Sequence, residues 1–171
     1  MPFTPFHFGA HACVALPFYK KINIFVFLFA NVIIDIEPLI VIIFKPTYPL
    51  HGYAHTFLGA TIIGGIWGAI SFKFKEPIEK LLKIFRVQSK YNLKQYVVSG
   101  ITGALLHVLF DAPLYTDIKP FYTFSLNPFY RIIPYEMVYK ICVVLFIPAI
   151  IIYILKAIKY KDDIINTFAS H

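Results

Sequence analysis

The chain has 171 residues, of which 58% are hydrophobic and 15% charged, and its mean hydropathy is +0.69. Soluble domains are typically about 45–50% apolar and about 25% charged, so this composition excludes an ordinary soluble domain, a disordered chain and a small secreted scaffold. The length leaves room for a single domain, residues 1–171. Cys13 and Cys142 lie within apolar stretches, which is typical of packing residues and predicts no disulfide.

Five helical segments are predicted, and the last four carry apolar runs of about 20 residues, the length that crosses a hydrocarbon core of about 30 Å. The first segment, residues 5–16, is short. The second, residues 22–44, contains Pro38, which predicts a kink because proline has no N–H and its ring clashes with the preceding turn. The remaining three are predicted at residues 53–72, 96–115 and 137–156. We therefore expect an all-α protein, an integral membrane bundle of about five helices.

The lysines and arginines are distributed unevenly between the two ends of such a bundle. If all five helices cross, 12 of the 16 basic residues share one side, most of them in the loop 73–95. Because basic residues are enriched in cytoplasmic loops, we expect a multi-pass protein of the cell membrane with this loop and the C-terminus cytoplasmic and the N-terminus external. The net charge of +7 is then explained by a basic surface beside anionic lipid, and nucleic acid is not expected as a partner.

Eight ionisable residues lie within or beside the apolar segments, where each is costly to insert and indicates a functional site. They form four pairs: His7 and His11, Asp35 and Glu37, His51 and His55, and His107 and Asp111. Three pairs have the i, i+4 spacing that places both side chains on one helix face, whereas the acidic pair can converge only if the helix is interrupted. With the orientation above, all four pairs are expected at one depth in the outer half of the bilayer.

Imidazole and carboxylate groups are the ligands of zinc and related divalent ions. We therefore expect these eight residues to hold one or two ions, with Zn²⁺ favoured, some of the residues serving as outer partners. A metal-bound water would be the nucleophile, and Asp35 or Glu37 would be the general base. The alternative is a buried polar network that only stabilises helix packing.

Four stretches carry these pairs: MPFTPFHFGAH, DIEP, HGYAHTFLGA and GALLHVLFDAPLY. In this order they resemble the predicted membrane-bound metal-dependent hydrolases of archaea and bacteria, a group that includes the LexA-binding inner-membrane hydrolases, over roughly residues 1–130. The resemblance implies site residues at His7, Asp35, Glu37, His55, His107 and Asp111. The motif order is also similar to the zinc-dependent phospholipase C and single-strand nuclease superfamily, although the chain lacks a second His-x-x-x-Glu/His motif after the fourth helix.

These patterns together predict a phospholipase C-like hydrolase that cleaves a phosphoester or ester of a lipid or lipid-linked substrate in the outer leaflet. The aromatic segment 116–136 is expected to be an external lid or an interfacial anchor, and Lys119 and Arg131 are candidate substrate-binding cations. Open alternatives are a divalent metal transporter, a histidine-rich oxygenase and a metal-binding membrane protein without catalysis. Membrane lipid is the expected partner, and a homo-oligomer is compatible with the sequence.

Overall fold

The computed structural model describes residues 5–45 and 47–169, with side chains described for residues 6–45 and 47–159. This part of the chain is helical and contains no β-strand, as predicted. The helices are α1 (Pro5–Ala15), α2 (Ile24–Ile34), α3 (Ile36–Phe44), α4 (Phe57–Lys73), α5 (Lys75–Ile84), α6 (Leu93–Asp111), α7 (Tyr135–Val144) and α8 (Phe146–Ala169), with 3₁₀ turns at Leu16–Phe18 and Tyr53–His55.

Three breaks between consecutive helices share one sequence feature. The breaks lie at Asp35, Phe74 and Leu145, and each precedes a proline by three residues. Proline cannot donate to the carbonyl four residues before it, and its ring clashes there, so the helical hydrogen-bond ladder opens one turn ahead of the proline. The interruption that Pro38 predicts in the second helix is therefore present, and it lies at Asp35.

Two predicted helices begin at other residues than expected. The helix predicted from residue 53 starts at Phe57, because Thr56 is an extended N-cap whose hydroxyl accepts the Gly59 N–H at 2.8 Å. His51 and His55 precede this helix in a loop and a 3₁₀ turn, so the prediction that they share a helix face is wrong. The next predicted helix, α6, starts earlier, at a capping box, and ends at Asp111, two residues before a proline.

Three helical segments are long and apolar enough to cross a membrane: Ile24–Phe44, Leu93–Asp111 and Tyr135–Lys159. A bent pair, α4 and α5, would make a fourth, with 87° between its halves. The first helix, α1, is short and apolar as predicted, and the predicted basic loop 73–95 contains the helix α5. Tyr135–Lys159 has a mean hydropathy of 2.8 and only 11% of it is buried, so its apolar side chains face outward.

The centre of the bundle is α6, which packs against α4 through glycines on both helices. A Cβ atom added at Gly64 would lie 2.5 Å from the Gly100 carbonyl oxygen, and one at Gly68 would lie 2.5 Å from the Tyr96 carbonyl oxygen. Such small residues allow the two backbones to approach closely. On another side of α6, Gly103 similarly admits the backbone of α2. His107 and Asp111, on the last turns of α6, are thereby brought within reach of α2 and α4.

We predict that Gly64→Ala lowers the free energy of unfolding by about 1–3 kcal/mol, because the added methyl group must push α4 away from α6. Gly65→Ala is the matched control, since its Cβ would meet only Ile101 side-chain atoms at 3.6 Å and beyond. Thermal unfolding of both variants in the same detergent measures the difference. Equal midpoints for the two variants would contradict a close α4–α6 contact.

Candidate metal centre

Residues from three parts of the fold converge at the C-terminal end of α6. His107 and Asp111 lie one turn apart on α6, Asp35 lies at the α2–α3 break, and His55 ends the 3₁₀ turn before α4. One ligand atom from each of these four residues lies within 4.8 Å of all the others, and both histidines and Asp111 are buried. This group could hold a metal ion.

Three of the distances between ligand atoms of this group are close to those expected around a tetrahedral ion. His107 Nε2 lies 3.2 Å from an Asp35 oxygen and 3.4 Å from an Asp111 oxygen, and His55 Nε2 lies 3.8 Å from the Asp35 oxygen. Ligands about 2.1 Å from a tetrahedral zinc ion stand about 3.4 Å apart. Two imidazoles and two carboxylates are also a donor set that zinc commonly takes in proteins.

Several buried polar atoms of the site have no hydrogen-bond partner among the described residues. They are His7 Nε2, His55 Nε2, His107 Nε2 and Asp111 Oδ1. Buried polar groups are usually hydrogen-bonded, and each unsatisfied one costs about 1–3 kcal/mol. Here the nitrogen atoms lie 3.1–3.8 Å from carboxylate oxygens, as ion pairs or as ligands around a shared cation would.

Outer hydrogen bonds fix the orientation of both imidazoles. Asn31 Oδ1 lies 3.2 Å from His107 Nδ1, and Glu37 Oε2 lies 3.0 Å from His55 Nδ1. Because both partners are acceptors, each Nδ1 carries a proton, and each Nε2 faces the ligand group. Asn31 was not predicted from the sequence; its position one helical turn before Asp35 was the available signal.

Glu37 lies behind the site rather than in it. Its two oxygens accept hydrogen bonds from Tyr48 Oη, the backbone N–H groups of Gly52 and Ala54, and the His55 ring, all at 2.9–3.0 Å. With these four partners the carboxylate is saturated, and it fixes the loop that carries His55. This corrects the expectation that Glu37 is a ligand or a general base.

The two histidines of α1 have different surroundings. His7 borders the site, with Nε2 at 3.1 Å from an Asp111 oxygen and its ring centroid 5.1 Å from that of His107. His11, one turn further along α1, has Nδ1 at 2.9 Å from the His7 carbonyl oxygen and Nε2 at 3.3 Å from the Gly103 carbonyl oxygen. The expectation that His11 is a ligand is therefore corrected: both of its ring nitrogens face backbone carbonyls.

His51 stands beside the ligand group and pairs with a residue that the sequence did not single out. Its Nδ1 lies 3.0 Å from an Asp117 oxygen, and its backbone N–H donates to the same carboxylate at 3.0 Å. Its ring is 4.7 Å from that of His55 and 4.1 Å from that of Tyr115, between centroids. Burial and the nearby His55 lower the pKa of His51, although Asp117 acts to raise it, so the ring is neutral near pH 7.

A polar cavity of about 400 Å³ adjoins His51. Its lining is Tyr48, Pro49, His51, Gly52, Tyr53, Thr56, Asp117, Lys119 and Tyr122. Lys119 thus lies at the cavity as the sequence suggested, whereas Arg131 lines a separate cavity with Pro134 and Glu136. The expectation that both cations serve one substrate is corrected accordingly.

The segment 116–136 is fastened over the start of α4. The Pro120 carbonyl accepts the Phe57 N–H at 2.8 Å, and the rings of Phe121 and Tyr122 pack edge-on against those of Phe57 and Tyr53. These contacts place the segment at the cavity entrance, and they hold Asp117 against His51.

In comparisons with known proteins, no family model matches the chain, and no curated protein and no solved structure is significantly similar to it. The resemblance to membrane-bound metal-dependent hydrolases therefore depends on the four sequence motifs alone.

We predict that His107→Ala abolishes stoichiometric zinc binding, because it removes the ligand that lies closest to both carboxylates. His11→Gln, one of the neighbouring buried histidines, should bind zinc as the unchanged protein does. Metal content of the purified proteins after dialysis against zinc gives the result. Full zinc in His107→Ala, or its loss in His11→Gln with the fold intact, would place the ion elsewhere.

Proposed function

We propose that this protein is a membrane-embedded, zinc-dependent hydrolase that cleaves a phosphoester or ester of a lipid or lipid-linked substrate. The observation that carries the proposal is the group Asp35, His55, His107 and Asp111, whose ligand atoms lie within 4.8 Å of one another. The His55 ring is 4.7 Å from that of His51, which lines the cavity of about 400 Å³. The order of the motifs, which resembles that of membrane-bound metal-dependent hydrolases, supports the same reaction class.

In this proposal each residue has a defined role. Asp35, His55, His107 and Asp111 would hold the ion, and His7 would orient Asp111 or help to hold a second ion. Bound there, zinc would lower the pKa of a water to about 7 and polarise the scissile oxygen of the substrate. Lys119, at the cavity, would pair with the negative charge of a phosphate.

The proton of the attacking water would be taken by His51. Asp117 holds the Nδ1 proton of His51, which leaves Nε2 as the acceptor, and the ring borders both His55 and the cavity. A neutral imidazole near pH 7 suits a general base. Asp35 is the alternative base, whereas Glu37 has its acceptor sites occupied.

The charge distribution supports an orientation with the cavity outside the cell. Whether or not α1 crosses, the four segments that could span the membrane leave residues 45–56 and 112–134 on one side. Lys20, Lys21, Arg86, Lys90 and the lysines at the end of α8 then share the other side, which the enrichment of basic residues assigns to the cytoplasm.

A divalent metal transporter is the second candidate, and a buried polar group on the inner part of α6 favours it. Ser99 is buried on α6 about two turns before His107, its hydroxyl accepts the Asn23 N–H, and Asn23 and Ser71 are buried as well. Between this group and the metal centre, however, lies an apolar layer that includes Ala30, Ala60 and Ala104. Neutral side chains behind an apolar layer do not form a path for a divalent ion, so hydrolysis remains the better supported function.

We predict that the zinc-loaded protein hydrolyses a synthetic lipid phosphodiester with a chromogenic leaving group, tested beside the corresponding carboxyl ester. Chelation should abolish activity and zinc should restore it.

His51→Ala should lower kcat by about 10²–10⁴-fold with zinc content unchanged, because it removes the general base. Lys119→Gln should mainly raise KM, and Arg131→Gln, at the separate cavity, is the control. Activity that survives chelation, or zinc uptake into liposomes without hydrolysis, would contradict the proposal.

A topological experiment tests the orientation separately. In a background with both native cysteines replaced, Thr47→Cys should react with an impermeant maleimide added to intact cells, and Ser89→Cys should react only after the cells are opened. These residues lie on opposite sides in the proposed arrangement. The reverse pattern would move the cavity to the cytoplasmic side and leave the chemistry of the site unaffected.

A further inference from the structure

A second polar cavity, of about 320 Å³, lies near the start of α2, far along the bundle from the metal centre. Its lining is Pro17, Phe18, Tyr19, Lys20, Lys21, Lys156 and Lys159. Four lysines therefore meet around one cavity, and its described lining contains no acidic side chain. Like charges this close repel one another, and an anion between them would relieve the repulsion.

The turn that carries two of these lysines is held in place by α6 and its preceding loop. Tyr91 Oη donates a hydrogen bond to the Tyr19 carbonyl, and Gln95 Nε2 donates to the Lys20 carbonyl at 3.4 Å. The Tyr19 ring also brings the two chain segments together, since Lys156 Nζ lies 4.8 Å and Lys20 Nζ 6.0 Å from its centroid. The cationic group is thus organised by the fold rather than by chance proximity of flexible side chains.

An apolar groove of about 340 Å³ is lined by residues that neighbour those of this cavity along the chain. Its lining includes Leu16, Phe25, Leu82, Phe85, Ile150 and Tyr153. The two sites are continuous along the chain: Leu16 precedes Pro17, and Tyr153, Lys156 and Lys159 follow one face of α8 at intervals of three residues. An apolar groove beside a cluster of lysines in the chain is complementary to an acyl chain joined to an anionic head group.

We propose that this composite site binds an anionic phospholipid, with its phosphate among Lys20, Lys21, Lys156 and Lys159 and an acyl chain in the groove. The groove is what selects a lipid over free phosphate, because a soluble anion would leave it uncovered. Elements α1, α2, α5 and α8 all contribute to the groove, so the bound lipid would join them and stabilise the fold. This binding is independent of the metal centre and of the proposed hydrolysis.

The test uses the full chain in detergent with added phosphatidylglycerol, phosphatidylcholine or glycerol phosphate. Native mass spectrometry measures the bound lipid, and thermal unfolding measures stabilisation. We expect about tenfold or greater preference for phosphatidylglycerol over phosphatidylcholine, together with a higher unfolding midpoint. The combined variant Lys20→Gln, Lys21→Gln, Lys156→Gln and Lys159→Gln should lose both effects.

The matched control replaces Lys73, Lys80, Lys83 and Lys90 by glutamine, which removes the same charge from outside the cavity lining, and it should keep both effects. If the fourfold cavity variant cannot be purified, Lys20→Gln with Lys21→Gln should show a partial loss of preference. Unchanged preference in the cavity variants, or an equal loss in the control, would overturn the site. Equal stabilisation by glycerol phosphate would show that the site takes a free phosphate and would overturn the lipid assignment.

Discussion

Two carboxylates, Asp35 and Asp111, lie among apolar helices, and the arrangement of the bundle depends on supplying them with positive charge. Removing an ionised carboxylate from water carries a penalty of several kcal/mol unless a partner compensates for it. Here the partners are imidazoles whose nitrogen atoms lie 3.1–3.8 Å away without forming hydrogen bonds. This group could hold a metal ion, and a divalent cation at its centre would compensate the charge of both carboxylates.

Two local sequence features, prolines and glycines, produce this arrangement of the bundle. Prolines three residues downstream open the helical ladder, and one such break places Asp35 at a junction between helices instead of within a regular turn. Glycines on α4 and α6 then allow these helices to approach closely enough for His55 to meet His107. Glu37, immediately after the break, binds the loop that carries His55, so one interruption supplies both a ligand and the support for another.

Ionisable groups are divided between the two ends of the molecule by sign. Carboxylates and histidines gather at the cavity beside segment 116–136, whereas lysines gather at the ends of α1 and α8 and along α5. In a membrane these ends would lie at different interfaces, one suited to a metal-dependent reaction and the other to contact with anionic lipid. At the first end, Asp117 of segment 116–136 contacts His51, and Tyr122 of the same segment packs against Tyr53.

Composition and hydropathy by themselves determined that the protein is helical and rich in membrane-length apolar segments, because only burial in lipid or protein covers so many such residues. The i, i+4 spacing of His107 and Asp111 likewise determined that both share one face of α6, since that relation is local. The roles of Glu37, His11 and His51 were decided by tertiary structure, because their partners are distant in sequence: a loop backbone, the carbonyl of Gly103 and the carboxylate of Asp117. A sequence pattern shows which groups are costly to bury, but only packing determines which neighbour satisfies each of them.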